Sequence, residues 1–236
     1  MIEPTLTWMK AVEKAINKLQ KEYKQNRGML LTEGDLECHT FNKLLQEEGL
    51  KDYHRCKNDT IFNTQRSSEL KTSYVHSQVT WFKIDKKSGF EVDITIGDPS
   101  KMEVKNIELF EQYTSKGFAY DGPCIAIELK FIRDIQKANQ FGQEDYLKLR
   151  DKLIPAKLEN IRIEKYKESN NDNIAFLAVV GCKDKKIFEL AKHYLGKHLS
   201  DETKPCPENL FVCVFYQDEI IWDKEQLIEF YEQSII

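Results

Sequence analysis

The sequence predicts a mixed α/β fold in one domain, with a central β-sheet flanked by helices. Three observations carry that expectation. SYVHSQVTWFKID (73–85) and FEVDITI (90–96) alternate like strands and are joined by the turn residues Lys86-Lys87-Ser88-Gly89, so they form a hairpin. NIAFLAVVGC (173–182) is a near-continuous apolar run, as a strand covered on both faces requires. Around these strands lie segments whose apolar residues recur at three- and four-residue spacing, the mark of amphipathic helices.

Taken in order, residues 4–26 place Leu6, Met9, Val12, Ile16 and Leu19 on one helical face with lysines opposite, and Gly28 ends the helix. A second helix starts in LLTEGDLECHTFNKLLQEEG. Thr32 is its N-cap, Leu36, Thr40, Phe41, Leu44 and Leu45 its apolar stripe, and Gly49 follows its end. Residues 51–72 show little periodicity. After the hairpin, 98–123 reads as an irregular excursion around a short helix-like piece, IELFEQY, with Asp98 a turn residue before Pro99. CIAIELKF (124–131) is the third strand. From Gln140 to Lys167 the helical pattern returns in Tyr146, Leu149, Leu153, Leu158, Ile161 and Tyr166, broken or kinked at Pro155. The 173–182 strand, the helix KIFELAKHYLGKHL, the strands NLFVCVFY and EIIW and the closing helix KEQLIEFYEQ complete the chain. The order is α-α-β-β-β-α-β-α-β-β-α.

Composition bounds the function. With 41% apolar and 31% charged residues, the chain has the balance of a soluble globular protein. No apolar run reaches bilayer length, and the N-terminus lacks a signal-peptide core, so no membrane association is expected and the expected location is the cytoplasm. Six cysteines without CxxC spacing read as buried free thiols, not as a zinc site. The net charge of −4 does not mark a generic nucleic-acid binder. It is uneven, however: residues 1–27 hold six Lys/Arg against three Glu, and residues 200–236 hold nine carboxylates against Lys204 and Lys224. A polyanion would avoid the C-terminal end.

Two strands carry unusual charges. Side chains alternate across a strand, so Glu128 and Lys130 share one face while Ile127, Leu129 and Phe131 share the other. Taken alone, this reads as a solvated pair at a strand end. Asp93, in the middle of FEVDITI where Asp is disfavoured, changes the reading. Placed side by side, the two strands bring Asp93 close to Glu128. Two such carboxylates repel unless a cation lies between them, and hard oxygen donors suit Mg²⁺ or Mn²⁺.

Asp93, followed at a distance by Glu128-Leu129-Lys130, resembles the signature of the PD-(D/E)XK nuclease superfamily, also called restriction-endonuclease-like. The family's core is a helix, a three-stranded antiparallel meander, a helix and a further strand, and the order read above is similar to it from Thr32 to Cys182. The resemblance divides 1–236 into an N-terminal helical extension (1–28), a catalytic core (32–182) and a C-terminal α/β completion (183–236). Two departures stand: Val92 occupies the motif's proline position, and Asp93 lies 35 positions before Glu128, a long gap.

The resemblance implies a Mg²⁺-dependent endonuclease hydrolysing phosphodiester bonds in DNA, with Mn²⁺ as a substitute cation. RNA cleavage would share the same site, and a homodimer would supply two sites for a duplex. In that scheme Asp93, Glu128 and the Leu129 carbonyl hold the metal, and Lys130 positions water or offsets phosphate charge. Glu33, with Glu37 as its rival one turn on, is the family's first-helix glutamate, which would hold a second metal or orient Lys130. Gln140, Gln143 and Lys148 would reach phosphates from the following helix, or simply form a solvated face. The alternative is a catalytically silent binding module on the same fold. Tyr74, Trp81 and Phe82 are read as core aromatics rather than base-stacking groups. His39 and His76 are read as structural, and Lys10, Lys14, Lys18 and Lys21 as a solvent face.

Overall fold

The computed structural model describes residues 3–56, 71–83, 89–104, 118–120, 122–154, 158–159 and 174–234. Helix α1 (Glu3–Gln25) and helix α2 (Glu33–Leu44) come first, followed by the short strands β1 (His54–Arg55) and β2 (Lys71–Thr72). The hairpin strands are β3 (Val75–Lys83) and β4 (Gly89–Gly97), and the excursion contains β5 (Met102–Val104) and β6 (Phe118–Tyr120). The core continues with β7 (Cys124–Ile132), α3 (Ala138–Lys148), β8 (Leu158–Glu159) and β9 (Ile174–Cys182). It closes with α4 (Lys185–Leu199), β10 (Leu210–Phe215), β11 (Ile220–Ile221) and α5 (Lys224–Gln233).

The main sheet has seven strands in the order β11-β10-β9-β7-β4-β3-β8. β3, β4 and β7 form an antiparallel meander, and β7, β9 and β10 run parallel. β10 and β11 extend this same sheet, so residues 183–234 add to the core instead of forming a separate one. Each face is covered by helices. On one, Val12, Ile16, Leu19 and Tyr23 of α1 and Leu36 and Leu44 of α2 pack on Ile125, Ile127, Leu129 and Phe131 of β7. On the other, Tyr146 and Leu149 in and after α3 and Phe188, Ala191 and Leu195 of α4 pack on Cys124, Ala126 and Ile132. This two-sided burial explains the apolar run of β9, buried at every position. Gly196 lets α5 approach α4, since a Cβ there would lie 2.2 Å from the Leu227 carbonyl oxygen.

The pleat of the hairpin reverses near its centre. Ile94 and Ile96 pack on the α1/α2 side, but Val92 packs on the α3/α4 side, although even-numbered residues of one regular strand share a face. β3 does the same, with Val75 on the first side and Val79 on the second. The break falls where the ladder steps from Ser77↔Ile94 to Val79↔Val92, passing Gln78 and Asp93. Gln78 has φ 51°, the single positive φ at a non-glycine position among the described residues.

Several expectations are corrected. The helix expected over Gln140–Lys167 is shorter: α3 ends at Lys148, a π-helical turn follows over Leu149–Leu153, and Leu158–Glu159 is strand β8, paired antiparallel with Phe82–Lys83. Pro155 cannot continue helical hydrogen bonding, and the edge of β3 offers the chain another partner. Ile161, Tyr166, the piece IELFEQY and the turn residues Lys86–Ser88 lie outside the described residues. The 51–72 and 98–123 stretches contribute the small β1–β2 and β5–β6 ladders. Leu6 is exposed, and Trp8 takes the buried place at that end of α1. Thr32 caps α2 as expected, in a capping box with Asp35, and Asp98 caps a turn by accepting the Ser100 N–H. No described cysteine is paired, and Cys56, Cys124, Cys182 and Cys213 are buried, whereas Cys38 is exposed and Cys206 half-buried. Among the described residues no helix is long and apolar enough to cross a membrane.

Candidate active site

The pleat reversal opens a fork in the sheet. β4 and β7 pair from Gly97↔Cys124 to Ile94↔Ile127 and then separate, whereas β7 stays paired with β9 as far as Ile132↔Cys182. Asp93 and Glu128 are the first residues beyond the last pair. The Asp93 carboxylate accepts the Leu129 N–H at 2.7 Å, replacing the backbone acceptor that β4 no longer supplies. The N–H and C=O of one strand residue leave on the same side, so the Leu129 carbonyl also faces the fork.

Glu128 is buried, and its Oε1 accepts from Lys148 Nζ at 2.7 Å. The same ammonium donates to the Glu91 carbonyl at 3.0 Å, so Lys148, from the end of α3, ties β4 to β7 across the fork. Two residues on, Lys130 Nζ lies 2.8 Å from Glu33 of α2 and 3.8 Å from Asp145 of α3. Helices from opposite faces of the sheet thus meet at one side chain, reached where β4 ceases to cover β7. Capping of α2 at Thr32 fixes Glu33 in its first turn.

The electrostatics follow from burial and crowding of like charges. Burial, then the neighbouring Asp93, pushes the Glu128 carboxyl up to about 8, against the pull of Lys148. Burial likewise raises Asp145 to about 6, with Lys130 opposing and Asp93 assisting. Asp93 is raised by burial against its bond to the Leu129 N–H, and Glu37 by burial and the charges of Asp93 and Glu33. For Lys130, burial acts downward, but the Glu33 contact and the carboxylates of Asp145, Glu33 and Asp93 outweigh it and hold the ammonium's pKa above its ordinary value.

Asp93, Glu128, Lys130 and Glu33 therefore gather at one place. The two helix glutamates divide the work: Glu33 meets Lys130, and Glu37 meets the Gln78 side chain at the pleat reversal. Lys148 stands inside the fork, not on a solvated face. Gln143 bonds His198 of α4 instead of facing the fork. The side chains of Gln140, Trp81 and Phe82 lie outside the described residues. Asp145 was missed by sequence reasoning. Its signal was its place three residues before Lys148, on the same helical face.

Away from the fork, Tyr74 packs edge-on against Trp8 at 5.8 Å and His54 at 5.0 Å, a core role. The half-buried His76 ring bonds the Ser73 carbonyl at 2.8 Å, and desolvation lowers its pKa. Lys14 and Lys18 converge on the buried Glu47, which gives part of the lysine face a structural partner.

The fork's donors suit a hard cation in their chemistry: Asp93, Glu128 and Asp145 are mostly buried carboxylates that resist carrying charge together, and Asp145 Oδ2 is buried without a hydrogen-bond donor. Among the described residues no three His, Cys, Asp or Glu side chains converge as direct ligands. The Lys148 ammonium is the cation that stands on Glu128. No protein family, curated protein or solved structure matches this chain.

Proposed function

We propose that this chain is a restriction-endonuclease-like, metal-dependent phosphodiesterase, an endonuclease acting on DNA with Mg²⁺, or Mn²⁺ in its place. One observation carries the reading: Asp93 and Glu128 flank the mouth of a strand fork, with Lys130 two residues on, held between carboxylates from two helices. The sequence of α2, the β3-β4-β7 meander, α3 and the parallel strand β9 supports the same reading.

Asp93, Glu128 and the Leu129 carbonyl would hold the cation. A bound divalent cation offsets phosphate charge and makes water a better nucleophile near neutral pH. Lys130, kept cationic by Glu33 and Asp145, orients the attacking water and steadies negative charge on the phosphoryl oxygens. Glu33 acts through Lys130 as a positioning residue. Burial of Glu128 and Asp145 limits bulk water around the reacting phosphate. RNA presents the same phosphodiester to the same groups, and a second copy of the chain would supply the cut on the other strand of a duplex.

The Lys148–Glu128 pair favours a second reading, a binding module in which Lys148 permanently fills the cation's place. Incubating supercoiled plasmid and single-stranded DNA with Mg²⁺ or Mn²⁺ separates the two. Wild type should cut, EDTA should stop it, and Glu128→Ala and Lys130→Ala should be silent. Equal silence of wild type and variants would leave the binding module.

A further inference from the structure

Beyond Lys130 the chain builds a second feature. A cleft of about 420 Å³ opens beside the end of β7, with Lys130, Arg133 and Lys137 among its lining cations. Its size is in the range that accepts a small organic unit rather than a lone ion. Phe131 and Ile132 turn their side chains into the two apolar layers, so charged groups dominate the opening.

Two carboxylates also border it, and both are engaged. Glu33 is bound to Lys130 at 2.8 Å. Asp134 accepts the Gln136 N–H at 2.9 Å and so caps the short 3-10 turn Ile135–Lys137. That turn brings Lys137 round to the same opening as Arg133, and both residues are exposed. The cleft therefore presents a guanidinium and an ammonium at its rim, with a third cation, Lys130, at its inner end. Phosphate is the anion such a pair suits, since Arg offers a donor fork and Lys a point charge.

We infer that this cleft is the track of the nucleic-acid strand, in which Arg133 and Lys137 hold a backbone phosphate neighbouring the one presented to Lys130. The inference rests on the proposed phosphodiesterase reading, which places the reacting phosphate at Lys130. The ligand class is a polynucleotide backbone, DNA or RNA. Arg133 and Lys137 position the strand and take no part in bond breaking.

The test is fluorescence anisotropy of a short labelled single-stranded oligonucleotide, in DNA and RNA arms, with EDTA present so that nothing is cut. Wild type is compared with Arg133→Gln/Lys137→Gln and with Lys10→Gln/Lys21→Gln, which removes the same charge from exposed positions on α1. The cleft pair should weaken binding in the preferred arm about tenfold or more and lower the slope of log affinity against log salt by about 0.7, the value for the one phosphate contact it removes. The α1 pair should stay within about twofold of wild type. Equal losses in both pairs, or no loss in the cleft pair, would overturn the track. Plasmid cleavage by wild type with unchanged binding in the cleft pair sinks the track alone. Track-dependent binding without any cleavage in Mg²⁺ sinks the phosphodiesterase reading alone.

Discussion

The Asp93 carboxylate accepts the Leu129 N–H at 2.7 Å, a side chain of one strand completing the hydrogen bonding of the next where their ladder stops. Asp93 thus has a structural duty and a charge, and the two separate by substitution. Asp93→Asn keeps an acceptor oxygen and should melt within about 1 kcal/mol of wild type, while cleavage falls by about 100-fold or more. Asp93→Ala strands the Leu129 N–H and should cost a further 1–3 kcal/mol or so. Paired thermal melts and cleavage assays read both effects.

The fork makes stability depend on pH in a particular direction. Glu128 is held at about 8 in the fold against an ordinary 4.5, so folding favours its neutral form. That contribution is complete below the ordinary value and is lost as pH rises through about 8. Asp145, held near 6, adds to the same trend over a lower window. Wild type should therefore lose on the order of a few kcal/mol between mildly acidic and mildly alkaline buffer, because each tenfold change in proton affinity on folding is worth about 1.4 kcal/mol. Glu128→Gln should flatten most of that slope in denaturant titrations run across the range. Glu47 acts in the opposite sense, because Lys18 and Lys14 outweigh its burial and lower its pKa, so its stabilisation fades on acidification.

Lys148 competes for the place of the proposed cation. Lys148→Met removes the ammonium 2.7 Å from Glu128 and should tighten Mn²⁺ binding by about tenfold in mildly alkaline buffer, read by calorimetry. Without metal the same variant should lose more stability than wild type on going from acidic to alkaline pH, because Glu128 ionises there with its partner gone. Unchanged Mn²⁺ affinity would show that Lys148 and the metal do not share a place.

Glu33 should matter to rate and hardly to folding. Its side chain is 47% exposed, and an exposed pair contributes about 0–1 kcal/mol. Glu33→Gln leaves Lys130 with Asp145 at 3.8 Å and should slow cleavage about 10- to 100-fold while the melting curve stays close to wild type. A shift of the alkaline limb of the pH–rate profile to lower pH would mark the effect as acting through Lys130.

Much of this site was legible in the residues. Asp93 stood out because Asp is rare in mid-strand, and Glu128 and Lys130 because strand alternation puts them on one face, beyond Ala126. The Thr32 cap placed Glu33 through local chemistry alone. What stayed hidden is tertiary. Nothing about glutamine announces φ 51°, so the pleat reversal at Gln78 and Asp93, and with it the fork, could not be read from alternation. Asp145 looked like any polar residue of a helix until α3 was laid beside β7. Leu158 fitted a helical stripe, and only the open edge of β3 drew it into a strand.

The measurement that bears most directly on a cation held in the fork is a Mn²⁺ titration followed by electron paramagnetic resonance, on wild type and on Asp93→Asn/Glu128→Gln. The predicted result is saturable binding to wild type that Mg²⁺ displaces and that the double variant loses while remaining folded. Equal binding by both proteins, or none by a folded wild type, would contradict it.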